Sequence, residues 1–411
     1  MSAAPATPVP AVGDHDAMVI GAGLAGSSLA LWLTQAGRRV LLIEKTAAAH
    51  AKVCGEFLSH EALHYLHSLS IDPEALGAVP IEYVRLVSGR FEARCRLPFP
   101  ALSLSRETLD EALLLHARAS GVCIHRGQRV QSVARDGDTW IARLQGGRQL
   151  KAPSAFLATG KHDLQGWNRP PGTQNDLIAF KMYWRLADRE RAALDRHVEL
   201  ILFPGGYAGL QPVEESRANL CLLVSRAGFS RAGGTWAALL AHMLAQSPHL
   251  ARRLSGANAL WASPLSLFKI PYGLVMGARR RDEDSPAGLW RLGDQSSVIP
   301  SFSGEGMSIA LHSARLAAAM YGAGADAAGF ERQLAQQVGA RVQFATLLSR
   351  AILAAPASVA AAAWGCPALL GLAGKITRIP TRYLLHQSAG GIYDPARAPG
   401  SAASNGCVPT P

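Results

Sequence analysis

Short, wholly apolar runs separated by glycine-rich turns dominate the first part of the chain. The run Ala17–Ile20 is followed by a cluster of glycines and then by the helical pattern of residues 27–36. Gly37 ends this helix, and Arg39 is followed by a second apolar run that completes the segment 39–43. Short runs that are apolar at every position are typical of parallel strands buried on both faces. The pattern therefore predicts a strand, a helix and a second parallel strand.

Strands and helices continue to alternate up to about residue 160. The i, i+3, i+4 repeat of residues 105–119 predicts a helix with Ser105 as its N-cap, and a shorter helix is predicted over residues 60–69. Residues 80–99 alternate enough between polar and apolar positions to predict strands. Further strands are predicted at residues 121–125, 129–133, 139–144 and 154–160.

From about residue 176 the chain changes to strands separated by turns. Strands are predicted at residues 177–185, 198–203, 220–224 and 265–275, with turns at 204–206 and 214–217. This pattern predicts an antiparallel sheet inserted into the first domain, where it would form one wall of a substrate pocket. A strand at 289–294 and a long helix at 307–321 then return to the first domain. The remainder, up to residue 395, is predicted to be helical.

The turn after the first strand carries the clearest chemistry. Gly21, Gly23 and Gly26 have the GxGxxG spacing, directly between a predicted strand and a predicted helix. In this motif the glycines allow a tight turn, a close approach of the backbone to a pyrophosphate, and packing of the helix on the strand. The helix N-terminus then faces the phosphates. Glu44, at the end of the second strand, is placed to accept hydrogen bonds from ribose hydroxyls, so the chain is predicted to bind a dinucleotide.

Composition narrows the class of protein. The 411 residues are 49% apolar and 17% charged, with a formal net charge of +11. The basic residues form no dense run and no zinc-finger pattern, so nucleic acid is not predicted as a partner. The 6 cysteines include no CxxC pair, which predicts neither a disulfide framework nor a metal site. The N-terminal residues lack the features of a signal peptide, and a cytoplasmic location is expected.

No charged residue lies between Arg350 and Lys375. The stretch is long enough to cross a bilayer, but Pro356, Gly365 and Pro367 interrupt it. Two short buried or interfacial helices are therefore predicted in place of a spanning helix. Reversible contact with the inner face of a membrane, or with lipid-like substrates, is expected from this stretch.

Several motifs together resemble one superfamily of flavoproteins. These motifs are GAGLAG with Glu44, Arg106 before a helix, Ala-Thr-Gly160, and Gly-Asp294 followed by PSFSGEGMSIAL. They are similar to motifs of the superfamily that joins the para-hydroxybenzoate hydroxylase type of aromatic hydroxylase with the geranylgeranyl reductases. The resemblance covers roughly residues 14–320. It implies that FAD binds in an extended form. Because the chain departs from the family pattern, the resemblance leaves open whether NADPH or NADH is the reductant.

The resemblance implies the following division of an α/β fold with a Rossmann-like FAD-binding domain. Residues 14–175 and 290–325 form the FAD-binding domain, 176–289 the inserted antiparallel-sheet substrate domain, and 326–395 a helical C-terminal region, with disordered tails at 1–13 and 396–411. The residues implied to contact FAD are Gly21, Ala22, Gly23, Leu24, Ala25, Gly26, Glu44, Lys45, Arg106, Val130, Gly160, Asp294, Gly304, Glu305, Gly306 and Met307.

Four residues are candidates for proton transfer beside a flavin. Cys54 and Glu56 lie in a loop that crosses the flavin ring in many enzymes of this kind, and Tyr272 follows them as a proton donor. His162 ends a strand near the cofactor and is a candidate shuttle. Three of these residues have an alternative without a catalytic role: Cys54 as a small buried cysteine, Glu56 as a surface glutamate and His162 as an ordinary loop histidine.

Two reactions and one inert role are consistent with the motifs. The first is hydroxylation of an aromatic or polyketide-derived, lipid-like phenol by an FAD monooxygenase. The second is reduction of isoprenoid C=C bonds, which Cys54-Gly55 and Gly-Glu-Gly306 favour because they resemble the reductase branch. The third is a flavin-binding partner protein without turnover. The first is preferred, since the aromatic motif of the reductase tunnel is incomplete, and an apolar or aromatic small molecule is the expected substrate.

Overall fold

The computed structural model describes residues 15–277 and 288–384. The two predicted disordered tails and residues 385–395 of the predicted helical region lie outside these described residues. Within them, a parallel sheet, a larger mixed sheet and a helical C-terminal region form the α/β architecture that the sequence predicts.

The strands and helices of the described residues are numbered separately in chain order. Strands β1 to β19 are Ala17–Ile20, Val40–Ile43, Phe57–Ser59, Val79–Ser88, Phe91–Ser103, Cys123–His125, Val130–Asp136, Thr139–Leu144, Gln149–Ala152, Ser154–Leu157, Leu177–Arg185, His197–Phe203, Gly206–Val213, Arg217–Ser225, Asn258–Ala259, Leu265–Leu267, Leu274–Val275, Trp290–Arg291 and Ser297–Val298. Helices α1 to α11 are Leu24–Gln35, His60–Ser68, Arg106–Ala119, Asp188–Leu194, Arg226–Arg231, Trp236–Gln246, Pro248–Arg253, Gly306–Gly322, Ala327–Ala354, Pro356–Gly365 and Ala368–Ile376.

The first sheet is parallel and has the order β18-β10-β1-β2-β6. All four residues of β1 are buried because both faces of the sheet are covered. Ala17 and Val19 face a core shared with helices α1, α3 and α8, whereas Met18 and Ile20 face a core that includes Trp140 from the small antiparallel sheet β7-β8-β9. The carboxyl end of β1 thus points its glycine turn at the edge where ligands bind in open α/β sheets.

The second sheet has the order β15-β11-β14-β13-β12-β4-β5-β3, and β16 also pairs with β11. Strands β11 to β16 of the insert pair with one another in antiparallel fashion, as predicted. The whole sheet is nevertheless mixed, because β12 pairs in parallel with β4, which lies outside the insert. Residues 57–103, assigned from sequence to the first FAD-binding segment, supply β3, β4 and β5 to this sheet. Two distant segments therefore build the sheet, a pairing that no local pattern encodes.

Within the insert, the structure departs from the predicted elements in two further ways. Helices α4 to α7 were not predicted, and their apolar residues pack against one face of β11 and β14. The single strand predicted at residues 265–275 is two short strands, β16 and β17, which pair with β11 and β19 respectively. The short apolar runs of these elements do not distinguish strand from helix by periodicity alone.

The predicted C-terminal helices are present as α8 to α11. Pro356 is the first residue of α10, where its missing N–H costs no helical hydrogen bond, and the chain bends by 109° between α9 and α10. No single helix among the described residues is both long and apolar enough to cross a bilayer, although α9 and α10 taken together, across their bend, would pass on length and composition.

Candidate FAD and substrate site

One large cavity connects the glycine turn after β1 with the C-terminal helices. Its volume is about 1290 Å³, above the range of roughly 300–1,000 Å³ usual for a single small-molecule site. At one end it is bordered by the glycine turn and Glu44, and at the other by apolar side chains of α9, α10 and α11. The cavity therefore has room for a dinucleotide and a second molecule in one continuous space.

The three glycines of the motif meet different surroundings. A Cβ atom at Gly26 would lie 1.8 Å from the carbonyl oxygen of Gly21, and one at Gly21 would lie 2.5 Å from the carbonyl oxygen of Ala158. Gly21 also has a φ of +101°, which favours glycine. A Cβ at Gly23 would instead meet only the ends of the Lys52 and Arg106 side chains, at 3.5 and 3.6 Å. Gly21 and Gly26 thus permit backbone packing, while Gly23 borders an open cradle.

Two cations line this cradle, and one carboxylate, that of Asp110, pairs with both of them. Asp110 accepts hydrogen bonds from Arg106 Nε and Nη2, both at 2.9 Å, and from Lys52 Nζ at 2.6 Å. Although burial opposes its ionisation, the charges of Arg106 and Lys52 hold the pKa of Asp110 below its usual value. The cluster of Lys52, Arg106 and Asp110 keeps one net positive charge beside the N-terminus of α1.

This cradle fits the pyrophosphate of a dinucleotide. It has two positive side chains, a free helix N-terminus at Gly23 without a side-chain cap, and a space that a Cβ would fill. Arg106 was predicted at the cofactor, whereas Lys52 and Asp110 were not. The i, i+4 spacing of Arg106 and Asp110 on α3 was a signal for the carboxylate, since such a pair lies on one helix face.

Glu44 is anchored at the ribose position. Its Oε2 accepts from the Ala22 N–H at 2.9 Å, and its Oε1 accepts from the N–H and hydroxyl of Thr46 at 2.9 and 2.8 Å. Burial opposes ionisation, but these hydrogen bonds keep the pKa of Glu44 below its ordinary value. A carboxylate has further lone pairs, so Glu44 holds the glycine turn and can still accept a ribose hydroxyl. Its neighbour Lys45 also lines the cavity.

The start of β7 and the turns that follow β10 and β18 bring four more of the predicted residues to the same cavity. Val130, Gly160, His162 and Asp294 all border it. Lys161 Nζ lies 3.5 Å from the Asp294 carboxylate. Burial and nearby cations lower the pKa of His162, which favours a neutral imidazole at neutral pH. The proton-shuttle role of His162 stays a prediction.

The turn before α8 presents backbone, not the Glu305 side chain, to the cavity. Gly304, Gly306 and Met307 border the cavity, whereas the Glu305 side chain is fully buried. Its carboxylate pairs with Arg378, which also donates to the Ser303 carbonyl at 3.2 Å. Burial raises the pKa of Glu305 to about 7, against the opposing charge of Arg378. Any contact of Glu305 with FAD is therefore made by its main chain, and its side chain fastens the turn to the segment after α11.

Glu56 lies in the interior, so the alternative of a surface glutamate is wrong. Its side chain is 0% exposed, and its carboxylate accepts from Lys181 Nζ, from the Tyr183 hydroxyl at 2.7 Å and from the Arg106 N–H at 2.8 Å. Burial raises the pKa of Glu56, although the charge of Lys181 opposes this effect. Cys54 and Glu56 both border the cavity, but the Glu56 oxygens are already occupied by these donors.

A cluster of three side chains that carry hydroxyls, Tyr207, Tyr272 and Ser301, borders the cavity. Tyr272 and Ser301 share a hydrogen bond of 2.8 Å, and Tyr207 accepts from the Phe302 N–H at 2.9 Å. Burial raises the pKa of Tyr272, so its phenol stays protonated. Tyr272 was predicted as a site residue, whereas Tyr207 was missed. Its position in β13, with alternate residues facing the cavity, was the available signal.

The far end of the cavity has an apolar wall. We define the apolar wall as the cavity-lining side chains of α9, α10, α11 and the adjoining strands, namely Val84, Leu86, Leu97, Phe99, Val198, Leu200, Leu265, Leu267, Phe268, Phe344, Leu348, Ile352, Val359, Ala362, Ala363, Leu369, Leu370, Leu372, Ala373 and Ile376. Such a wall favours an apolar group and excludes water from it.

The fold and the cradle define a dinucleotide-binding flavoprotein, and comparisons with known proteins agree. Residues 14–153 match the family model described as FAD binding domain. The flavin-dependent brominase Bmp2 has the same fold, with a TM-score of 0.72 and 19% identity over 88% of this chain and 93% of the brominase. Halogenase PltM in complex with phloroglucinol and FAD has a TM-score of 0.67 and 15% identity over 82% of this chain and 76% of the halogenase.

A relative by sequence is the menaquinone reductase of Mycobacterium tuberculosis (strain ATCC 25618 / H37Rv). It is 26% identical over 321 residues, which cover 74% of this chain and 75% of the reductase. The matched FAD binding domain and this relative support an FAD-dependent oxidoreductase with FAD as its cofactor, and the fold is shared with flavin-dependent enzymes.

Proposed function

We propose that this protein hydroxylates the ring of a lipid-like phenol. The observation that carries the proposal is one continuous cavity bordered by the FAD cradle, by the hydroxyl cluster of Tyr207, Tyr272 and Ser301, and by the apolar wall. A substrate with an oxygen-bearing ring and an apolar chain matches this arrangement, because its ring would meet the hydroxyls and its chain the apolar wall.

The chain's own residues would orient the substrate and keep the site dry. Bound FAD supplies the two-electron chemistry, with NADPH or NADH as the proposed electron donor. The protonated Tyr272 hydroxyl can donate a hydrogen bond to a substrate oxygen, and the apolar wall excludes water from the reacting ring. The names of two related proteins support a substrate of this class: one structure contains phloroglucinol, a phenol, and one relative is named for menaquinone, a quinone with an isoprenoid chain.

Reduction of an isoprenoid C=C bond is the second candidate. Cys54 borders the cavity, and the Arg106 guanidinium lies close enough to interact with its thiol. A thiol in this position is a suitable proton donor for a carbon that receives a hydride. The relative named as a reductase supports this candidate, as do the many apolar side chains of the apolar wall.

The need for oxygen distinguishes the two candidates. With reduced FAD and 3-pentadecylphenol, hydroxylated product should form only in air, and Cys54→Ala should keep turnover within about tenfold because hydroxylation does not require that thiol. The measurement is product analysis by mass spectrometry, with NADPH or NADH as the reductant in air and dithionite as the reductant under anaerobic conditions. Saturation of a polyprenyl quinone under anaerobic conditions, with a loss on the order of 10²-fold in Cys54→Ala, would contradict hydroxylation and favour reduction.

We also propose that α10 and α11 rest on the surface of a membrane that holds the substrate. Four large apolar side chains are exposed here: Trp364 at 61%, Leu369 at 43%, Leu372 at 52% and Ile376 at 41%. Leu369, Leu372 and Ile376 border the cavity as well, so α11 is apolar towards both the cavity and the outside. Such a patch marks an interaction site, and lipid is the partner that suits a substrate with an apolar chain.

Replacing Trp364 and Leu372 by glutamine should abolish sedimentation of the protein with anionic liposomes. The physical reason is the loss of exposed apolar area that would insert between lipids. Leu115→Gln is the matched control, because Leu115 is 55% exposed but lies on α3, away from the cavity. Equal liposome binding by all variants would contradict the proposal, and resistance of the bound protein to alkaline carbonate would show spanning in place of surface contact.

A further inference from the structure

At one place in the second sheet, two neighbouring strands present polar side chains on one face and apolar side chains on the other. In β11, Phe180, Met182 and Trp184 join the core with helices α4 to α7, while Lys181 and Tyr183 face the opposite way. The residues paired with them on β14 are Cys221 and Asn219. Strand alternation therefore places four polar side chains together, on the face turned towards residues 54–56.

Lys181 is the most unusual member of this group. Its side chain is 0% exposed, and within the described residues its ammonium group contacts Glu56 and the Tyr183 hydroxyl. An ammonium group is rarely buried to this extent, because removal from water costs several kcal/mol unless a carboxylate and hydrogen bonds compensate for it. The FAD cradle does not use Lys181, and the apolar wall does not include it.

The backbone at Glu56 is in a conformation that needs support. Its φ is +66°, in the left-handed region that side chains other than glycine rarely adopt. The carboxylate is held by Lys181, Tyr183 and the Arg106 N–H, and the Glu56 carbonyl accepts from the Leu104 N–H at 3.2 Å. Strained conformations of this kind persist where surrounding contacts over-determine them, and they are concentrated at functional sites.

Further contacts from the same sheet fix the two preceding residues at the cavity wall. The Asn219 amide donates to the carbonyl oxygens of Cys54 and Gly55, both at 3.0 Å, and the Glu56 N–H lies 3.4 Å from Cys54 Sγ. Arg106 joins the two regions, since its N–H donates to Glu56 and its guanidinium lines the pyrophosphate cradle. The segment at residues 54–56 is thus held between the second sheet and the FAD-binding segment.

We propose that Lys181 is a positioning residue, which acts through Glu56 to hold Cys54 and Gly55 against FAD. The ion pair between Lys181 and Glu56, to which the Tyr183 hydroxyl also bonds, fixes the cavity wall beside the cofactor relative to β11. Lys181 needs no contact with FAD or substrate for this role. The proposal rests on the FAD site alone, so it holds for hydroxylation and for reduction alike.

Lys181→Met should loosen residues 54–56 without unfolding the sheets. We expect amide hydrogen exchange in the FAD-free protein to rise at least about tenfold at residues 54–56 and at the Arg106 amide, because the carboxylate that ties them together loses its partner. The exchange of β1 should not change. In the FAD-loaded protein, the visible absorption spectrum of the flavin should shift and the Kd for FAD should rise about tenfold.

Arg253→Met is the matched control. Arg253 forms a buried ion pair with Glu199 at 2.8 Å on the other side of the second sheet, away from the cavity. Its loss should lower stability but leave the exchange of residues 54–56 and the flavin spectrum as in the wild type. If Lys181→Met does not fold, Tyr183→Phe should raise the exchange of residues 54–56 by a smaller factor. Unchanged exchange there, or an equal rise in β1, would overturn the proposal.

Discussion

Gly26→Ala is expected to yield a folded but colourless protein, or no folded protein at all. The added Cβ would lie 1.8 Å from the Gly21 carbonyl oxygen and 3.2 Å from Ala158 Cβ, so α1 would have to move away from the turn that binds the pyrophosphate. Both the position of the helix N-terminus and the shape of the cradle depend on this contact. The measurement is the FAD content per chain from the flavin absorbance, together with the thermal unfolding midpoint.

Gly339→Ala provides the matched control for this substitution. Gly339 lies inside helix α9, and a Cβ built there meets no atom within 4 Å. Glycine to alanine at a helical position without a clash is expected to stabilise by about 0.4–1 kcal/mol, with full FAD content. A Gly26→Ala protein that retained one FAD per chain with wild-type affinity would show that the turn is not the cofactor site.

Arg106→Met is expected to weaken FAD binding on the order of 10²-fold while the protein stays folded. The change removes a cation from the cradle at Gly23 and leaves Asp110 paired with Lys52 alone. Hydrogen bonds between charged groups contribute about 1.5–3 kcal/mol each, and the remaining cluster would be neutral towards the pyrophosphate. Titration of the FAD-free protein with FAD, followed by the quenching of flavin fluorescence, measures the Kd.

Arg118→Met tests whether this loss depends on position or only on net charge. Arg118 is an exposed residue of the same helix, α3, and it does not border the cavity. Its removal should change the Kd for FAD by less than a factor of about two at physiological salt, because exposed charges at a distance are screened. Similar losses in both variants would contradict the assignment of Arg106 to the cradle.

The FAD-binding half of the site was predictable because its information is local. Gly21, Gly23 and Gly26 follow a strand and open a helix within a few residues, and the structure places this turn and Glu44 at one end of the cavity. The steric requirement of each glycine concerns neighbours in this unit and in the adjacent strand. The bounds of α3 and of its Ser105 cap were predictable for the same reason, since the Ser105 hydroxyl accepts from the Thr108 N–H only three residues ahead.

The partners that lie far away in the sequence from Glu56 and Asp110 were not predictable from such patterns. Lys181 is 125 residues from Glu56 in the chain, and Lys52 is 58 residues from Asp110. The insert strands carried a signal in the alternation of Lys181 and Tyr183 with Phe180 and Met182. Alternation separates two sets of side chains but does not say which set faces the core and which faces a ligand.

By itself, the sequence determined that this protein binds a dinucleotide, since the glycine spacing, the helix start and Glu44 form one local unit whose geometry follows from sterics. Only the tertiary structure decided which polar groups surround the flavin end of the cavity. It pairs residues 57–103 with the insert in one mixed sheet, buries Glu56 against Lys181 and directs the Glu305 side chain away from the cavity towards Arg378. The physical reason is that a buried charge is stable only beside an opposite charge or hydrogen-bonding groups. Strand pairing between distant segments determines which of these groups lie beside it.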